Sequence, residues 1–357
     1  MGRFGKGLRW PRAWVAAIAL VLAGCGGAED FAAENTGEEE DALAGSEKAS
    51  YGIGEAYPDV ALYEGPATPK KMIFDTFVAY LHASSTRIIL ESSAASDPAK
   101  MATALQWVRD VRTAGMDPYV TITAPHGYDV HRYMNEVGDI YRALAGHATH
   151  FGSINEPDLN GFSPEEAADY WAYAFLGLRR VCGRKCFVVA GEFAMVNAGS
   201  RYVRRYISRI HKHVHANHHL RPPRFWSMHD YADVVEGTTS HAQDYADLLT
   251  NSPYSNALIW ITECGALLKH GGTAPGVPTH LSGNADAQEK AGRAFLNLGK
   301  KVRGVTRVLY YEIEALGSTQ NTWDSALIDW NGALRPVACA ILSIPSTCPG
   351  SLKGAGL

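Results

Sequence analysis

From Tyr51 onward the apolar residues alternate between two periods. Residues 51–54 read as a short first strand. Met72, Phe74, Phe77, Val78 and Leu81 recur at helical spacing and predict an amphipathic helix over 69–82. A buried strand over 87–91 follows, then a helix over 101–114 stopped by Gly115, then a β-branched strand over 119–123. The same alternation predicts helices over 130–144, 163–181, 202–215, 241–249 and 285–302. Between them it places strands over 149–154, 187–191, 225–229, 257–262 and 305–312, and a last short helix starts near Pro336. Ser163 and Glu166 form a Ser-x-x-Glu capping box at the start of the fourth helix.

Eight strands, each followed by a helix, imply βαβ crossovers and a parallel sheet. Eight repeats fit a closed (β/α)8 TIM barrel over 51–348, a length ordinary for that fold. A doubly wound sheet is the alternative, and the Gly-x-Gly-x-x-Gly fingerprint it would carry after the first strand is missing.

The N-terminus has a different logic. Arg3, Lys6, Arg9 and Arg12 precede an apolar run too short to span a bilayer as a mature helix, and the run ends in Leu22-Ala23-Gly24-Cys25. This has the pattern of a bacterial lipobox. It predicts a lipoprotein signal peptide over 1–24, removed to leave a lipid-bearing Cys25, and a location in the cell envelope, at the outer membrane or cell surface. A cleaved leader without lipid is the plainer alternative. Residues 25–50 include Glu38, Glu39, Glu40 and Asp41 in a row and read as a flexible acidic tether; 349–357 read as a tail.

The formal charge of −4 becomes −8 once the leader's four basic residues are gone, and no basic patch interleaved with aromatics appears, so nucleic acid is a poor partner. With Cys25 given to lipid, Cys182 with Cys186 and Cys339 with Cys348 are candidate disulfides in an exported protein. Cys264 is left over, as a small packing residue or a reactive thiol.

In a barrel the chemistry gathers at the C-terminal ends of the strands. The polar residues there are Glu91, His126, Asn155 with Glu156, Glu192, His229 with Tyr231, Glu263 and Glu312. So many carboxylates on one rim is an unfavourable arrangement unless they work on something. Glycosidic hydrolysis needs two, one protonated to donate to the leaving oxygen and one ionised to attack or to activate water.

Ser153-Ile154-Asn155-Glu156-Pro157 resembles the Asn-Glu-Pro motif that ends the fourth strand of clan A glycoside hydrolases. Ile259-Trp260-Ile261-Thr262-Glu263 resembles their seventh strand, Met228-His229-Asp230-Tyr231 their sixth, and residues 326–336 the run after their eighth. The likeness covers the whole domain and is nearest to members such as families 5 and 39. It implies a retaining hydrolase of a β-linked glycan, with Glu156 as acid/base, Glu263 as nucleophile, Asn155 on the sugar 2-hydroxyl, and His229 and Tyr231 positioning the nucleophile or the sugar. Arg87 is expected to pair with Glu263, and Glu156 is expected to be raised by burial and by Glu263.

Many clan members carry Trp on the eighth strand to stack under the reacting sugar. Here that strand reads Val308-Leu309-Tyr310-Tyr311-Glu312, and Trp323 in the following loop is the candidate substitute. Tyr311 joins the candidate sugar contacts, Glu192 and Glu312 are extra rim carboxylates for sugar hydroxyls, and His126 is a further contact. No cofactor or metal is implied, and the chain reads as a monomer. Two other classes stay open: a surface lipoprotein binding glycan through an inactive barrel, and a metal-dependent hydrolase using His126 and His229. The run His211, His213, His215, His218 and His219 falls on the opposite face with no carboxylate or cysteine evident to complete a metal set, and reads as a solvated helix end. His147 and His150 read as structural, and Tyr170, Trp171 and Tyr173 as packing residues.

Overall fold

The structure is a computed structural model. It describes residues 49–55, 58, 63, 68–194, 199–270, 281, 284–314, 323–329 and 332–343, all within the compact unit Ser46–Leu357. The leader, Cys25, the acidic tether, Cys348 and the tail lie outside the described residues.

Eight parallel strands close into a barrel: β1 (Ser50–Gly54), β2 (Ser85–Glu91), β3 (Asp117–Thr123), β4 (His150–Gly152), β5 (Phe187–Phe193), β6 (Phe225–His229), β7 (Leu258–Cys264) and β9 (Val305–Tyr310), with β9 pairing back onto β1. The connecting helices are α1 (Pro69–Leu81), α2 (Pro98–Thr113), α3 (Val130–Ala143), α4 (Pro164–Cys182), α5 (Gly199–Ala216), α7 (Ser240–Thr250) and α8 (Ala285–Lys301). A short α9 (Pro336–Ile341) follows. Three elements escape the periodic reading: a 3-10 helix over Ser92–Ser96, a short helix α6 (Tyr231–Glu236) directly after β6, and a two-stranded ribbon of β8 (Lys269–His270) with β10 (Trp323–Asp324).

Local chemistry explains the boundaries. Asp97, Asp129 and Asn284 cap α2, α3 and α8 by accepting backbone N–H bonds. The expected capping box of α4 is complete: Glu166 N–H donates to Ser163 Oγ at 3.2 Å, and Ser163 N–H donates to Glu166 Oε2 at 2.8 Å. A disulfide joins Cys182 to Cys186 where α4 turns into β5. Cys339 is also disulfide-bonded, while its expected partner Cys348 lies outside the described residues. Cys264 is a free, buried thiol pushed well up by burial.

Alternation along each strand sorts side chains into two cores. Val120, Ile122, Val188, Ala190, Ile259 and Ile261 face the helices and join the main cluster, with Trp107, Trp171 and Phe295. Tyr119, Val189, Trp260 and Leu309 face inward and fill the barrel's waist. Below them Asp117 is salt-bridged to His150 at 2.8 Å and to Arg307 at 3.2 Å, and the Arg307 guanidinium lies 3.9 Å from the centre of the Trp260 ring. His150 is therefore structural, as its place before the fourth strand implied. The interior is a plugged core, so the chemistry is confined to its upper rim.

Candidate active site

The upper rim is assembled around one buried cation. Arg87, on β2, is fully buried and donates to four groups: Thr121 Oγ1 on β3 at 2.9 Å, Asn155 Oδ1 at 2.7 Å, Glu263 Oε1 at 2.5 Å, and Glu192 Oε2. Burial alone would lower its pKa, but Glu192 and Glu263 more than offset that and hold it above the usual arginine value. The expected Arg87–Glu263 pair is thus present, with Glu192 and Asn155 on the same guanidinium.

Two irregular strands put the carboxylates there. Inward positions on β5 run Phe187, Val189, Gly191, so strict alternation would turn Glu192 out to the helices. A register shift between Gly191 and Phe193 inserts one residue and swings Glu192 inward. Gly191 makes this possible: its φ is +115°, and a Cβ there would sit 2.2 Å from the Ser227 carbonyl oxygen. A second shift between Ile261 and Cys264 on β7 does the same for Glu263. Gly152 on β4 leaves the necessary space, since a Cβ there would lie 2.6 Å from Tyr119 Oη and 3.1 Å from Glu192 Oε1.

Glu192 corrects one expectation. It is fully buried beneath the rim and accepts from Arg87, Tyr119 Oη and Ser227 Oγ rather than facing a sugar hydroxyl. Burial would raise its pKa, but Arg87, His229 and Tyr119 pull it down to about 2. It is a buried anion that holds Arg87 in place.

Glu156 and Glu263 flank His229. His229 Nδ1 lies 2.9 Å from Glu156 Oε1 and 3.5 Å from Glu263 Oε2, and its Nε2 lies 3.6 Å from Glu192 Oε2. Burial would lower its pKa, yet Glu263, Glu156 and Glu192 together raise it to about 10. The ligand atoms of Glu156, His229 and Glu263 all lie within 4.8 Å of one another. Glu263 is 8% exposed at its side chain and Glu156 23%, so Glu156 is the more open of the two. Tyr231, the first residue of α6, donates to Glu263 Oε2 at 3.1 Å. Asp230 caps that helix by accepting Asp233 N–H at 3.1 Å, which sets Tyr231 beneath Glu263.

Asn155 turns its Oδ1 to Arg87 and leaves its amide N–H groups toward a cleft of about 530 Å³. Glu91, Thr123, His126 and Asn160 also line this cleft. His126 is half exposed, 3.6 Å from Glu166 Oε1 and edge-on to Phe162, so it borders the cleft. Tyr311 and Glu312 follow β9, joined by a cis peptide bond, and Glu312 is buried. Trp323 has its backbone in β10, and its side chain lies outside the described residues.

Sequence reasoning missed Tyr119, Thr121 and Ser227. All three sit on inward positions at the level of Arg87 or just below it, and period-two counting from Arg87 across β3 and β6 is the signal that finds them. Among the described residues, the group with metal-binding potential is Glu156, His229 and Glu263, without His126. A metal ligand must be neutral imidazole, whereas the carboxylates here favour imidazolium. The histidine run on α5 has a carboxylate after all: Asp169 of α4 meets His213 at 2.5 Å and Arg209 at 2.8 Å, which makes it a helix-to-helix ion-pair seam.

The family model described as "Glycosyl hydrolase catalytic core" matches residues 109–340. No curated protein matches the chain. Among solved structures, a GH128 (subgroup II) endo-β-1,3-glucanase from Sorangium cellulosum aligns with a TM-score of 0.53 at 14% identity, covering 83% of this chain and 99% of that one. A β-glucosidase from Exiguobacterium marinum aligns at 0.52 and 13%, covering 84% and 98%. A mutant GH128 (subgroup I) endo-β-1,3-glucanase from Amycolatopsis mediterranei, in complex with laminarihexaose, aligns at 0.50 and 17%, covering 83% and 99%. At such identities the likeness is one of fold. The resemblance read from Asn155-Glu156-Pro157 is supported at the level of glycoside hydrolase; families 5 and 39 are not among these matches.

Proposed function

The chain belongs to the glycosyl hydrolase catalytic core family, and from that premise we propose that it cleaves a β-linked glycan with retention, Glu263 as nucleophile and Glu156 as acid/base. The observation that carries this reading is the approach of the two carboxylates, whose ligand atoms lie within 4.8 Å of each other across His229. Retaining glycosidases hold their carboxyl groups about 5–5.5 Å apart, while inverting ones leave about 6.5–9.5 Å for a water.

The partners of each group divide the labour. Glu263 is the less exposed, with one oxygen on Arg87 and the other on Tyr231. Such fixed donors aim a lone pair at the anomeric carbon and limit its wandering. Glu156 has His229 as its partner and faces the opening. In the first step Glu263 oxygen bonds to the anomeric carbon while Glu156 passes its proton to the departing glycosidic oxygen. In the second, Glu156 takes a proton from water, the resulting hydroxide attacks the anomeric carbon, and Glu263 leaves as carboxylate. Arg87 and imidazolium His229 offset two of the three carboxylate charges gathered here. Asn155 keeps its amide N–H groups for the sugar 2-hydroxyl.

For the substrate class we favour a β-1,3-glucan, because two of the aligned structures are endo-β-1,3-glucanases and a third is a β-glucosidase. The Leu22-Ala23-Gly24-Cys25 run supports export and a lipid anchor at Cys25. No helix among the described residues is long and apolar enough to cross a membrane.

The test is reducing-sugar release from laminarin and from aryl β-glucosides by the parent, Glu156→Gln and Glu263→Gln. Glu263→Gln is expected to be inactive on both. Glu156→Gln is expected to fail on laminarin yet still release an activated aryl leaving group, which needs no proton. Parent-like activity in both variants would overturn the assignment.

A further inference from the structure

Beyond the acid/base pair the rim holds a third carboxyl in an unusual position. Glu312 follows β9 and is 6% exposed. Its side chain has no hydrogen bond or ion pair among the described residues, whereas the buried carboxylates Glu192 and Glu263 each take several. The charged groups that act on it electrostatically come from four elements: Glu55 just after β1, Lys70 at the start of α1, Asp324 of β10 and Glu263 of β7, the strand hydrogen-bonded to β9. Three of these four are acids. Asp324 is bound to Arg335, at 2.5 and 2.7 Å, so that cation is already taken.

A carboxylate so largely buried, with no partner among the described residues and mostly negative neighbours, is strongly disfavoured. The neutral carboxylic acid avoids that penalty, but it leaves an O–H donor that needs an acceptor. The side facing Glu263 is where the reacting sugar must sit if Glu263 attacks it. We propose that Glu312 is a substrate-positioning carboxylic acid that donates a hydrogen bond to a hydroxyl of the sugar bonded to Glu263. The proposal rests on the site reading above and extends it: the glycone is held by a neutral acid on one side and by the Asn155 amide on the other. Burial, then Glu55, lifts Glu312 to about 8, against the smaller pull of Lys70. Its proton is therefore in place at neutral pH. Above pH 8 the donor is lost and a second anion appears beside the nucleophile.

The experiment is the pH profile of kcat/KM on laminarihexaose and an aryl β-glucoside for the parent, Glu312→Gln and Glu312→Leu, with Glu263→Gln alongside. The amide keeps a donor and does not titrate. Glu312→Gln should stay within a few-fold of the parent below pH 7 and move the alkaline limb from near 8 toward the range of His229. Glu312→Leu, with no donor, should lose about 10- to 100-fold at every pH. Profiles of both variants that overlay the parent, with Glu263→Gln inactive, would overturn the Glu312 assignment and leave the site reading standing. Parent-like activity in Glu263→Gln would instead strike the site reading itself. A carboxyl 13C NMR titration reads Glu312 without any turnover. The resonance missing from Glu312→Gln should titrate near pH 8, and titration in the ordinary range near 4 would overturn the proposal whatever the activity.

Discussion

The backbone N–H of Glu156 donates to the backbone carbonyl of Glu192 at 2.9 Å, and both residues hold a left-handed backbone, with φ of +45° and +62°. Each such conformation costs a non-glycine residue on the order of 1–3 kcal/mol and persists only where its surroundings over-determine it. Here the surroundings are explicit. Glu192 is held by Arg87, Tyr119 and Ser227, and through its carbonyl it fixes where Glu156 leaves β4. The acid/base candidate is therefore positioned by a carboxylate that lies beneath the rim.

Glu192→Gln tests that chain of support. The variant is expected to lower kcat by about 10- to 100-fold with KM nearly unchanged, because the residue holds the machinery and does not touch the sugar. Its acid sensitivity should change as well. Glu192 is depressed to about 2 in the folded protein, so its contribution to stability is present above the ordinary carboxylate range near 4.3 and is lost as pH falls through 2. Urea unfolding midpoints between pH 6 and 2 should fall less steeply for the variant than for the parent. Parallel curves would contradict the buried ion pair.

His229 gives the opposite sign. Its folded pKa is raised to about 10, above the unfolded value near 6.5. The stability it contributes is therefore complete below 6.5 and is lost as pH rises toward 10. Thermal melting from pH 6 to 10 should show the parent losing stability relative to His229→Gln over that window. A parent and variant that melt in parallel would mean that His229 is neutral in the fold.

Arg87 serves Glu263, Glu192, Asn155 and Thr121 with one planar guanidinium, which a lysine ammonium cannot match in geometry. Arg87→Lys is expected to fold, to melt lower, and to lose at least about 100-fold in kcat. Removing the cation altogether, as in Arg87→Met, leaves two buried carboxylates sharing the imidazolium of His229 and should destabilise by about 3–5 kcal/mol. A folded, fully active Arg87→Lys would show that the nucleophile does not depend on that fork.

How far the sequence foretold this can be seen residue by residue. The eight barrel strands and the Ser163 capping box were legible, because alternation and capping act over a few residues. Glu156 and Glu263 were legible through their neighbours in sequence. Glu192 was legible as a rim residue but not as a buried anion, because its partners Arg87, Tyr119 and Ser227 come from three other strands and no local pattern marks the shift at Gly191 that seats it among them. Helix α6 was hidden because Asp230, its cap, directly follows the last residue of a strand. The Asp169–His213 pair joins residues 44 apart in the chain, so helix packing alone reveals it.

The Cys182–Cys186 bridge closes a loop with a sequence separation of 4. Loop-closure entropy for so short a ring gives about 2 kcal/mol. Replacing both cysteines with serine should lower the melting temperature by several degrees and leave kcat/KM intact, since the bridge lies at the bottom of β5 and the carboxylates at its top. Loss of activity in a folded double variant would mean that the bridge transmits to the site.

The central claim is that Glu263 bonds to the sugar. Incubating the protein with a 2,4-dinitrophenyl 2-deoxy-2-fluoro-β-glucoside should trap the glycosyl ester, because the fluorine slows both steps and the activated leaving group restores the first. Peptide mass mapping should then find one fluoroglucosyl adduct, on Glu263, with dinitrophenolate released in a matching burst. An adduct on Glu156 or Glu312, or hydrolysis of an aryl β-glucoside that yields the α-anomer first, would contradict the account.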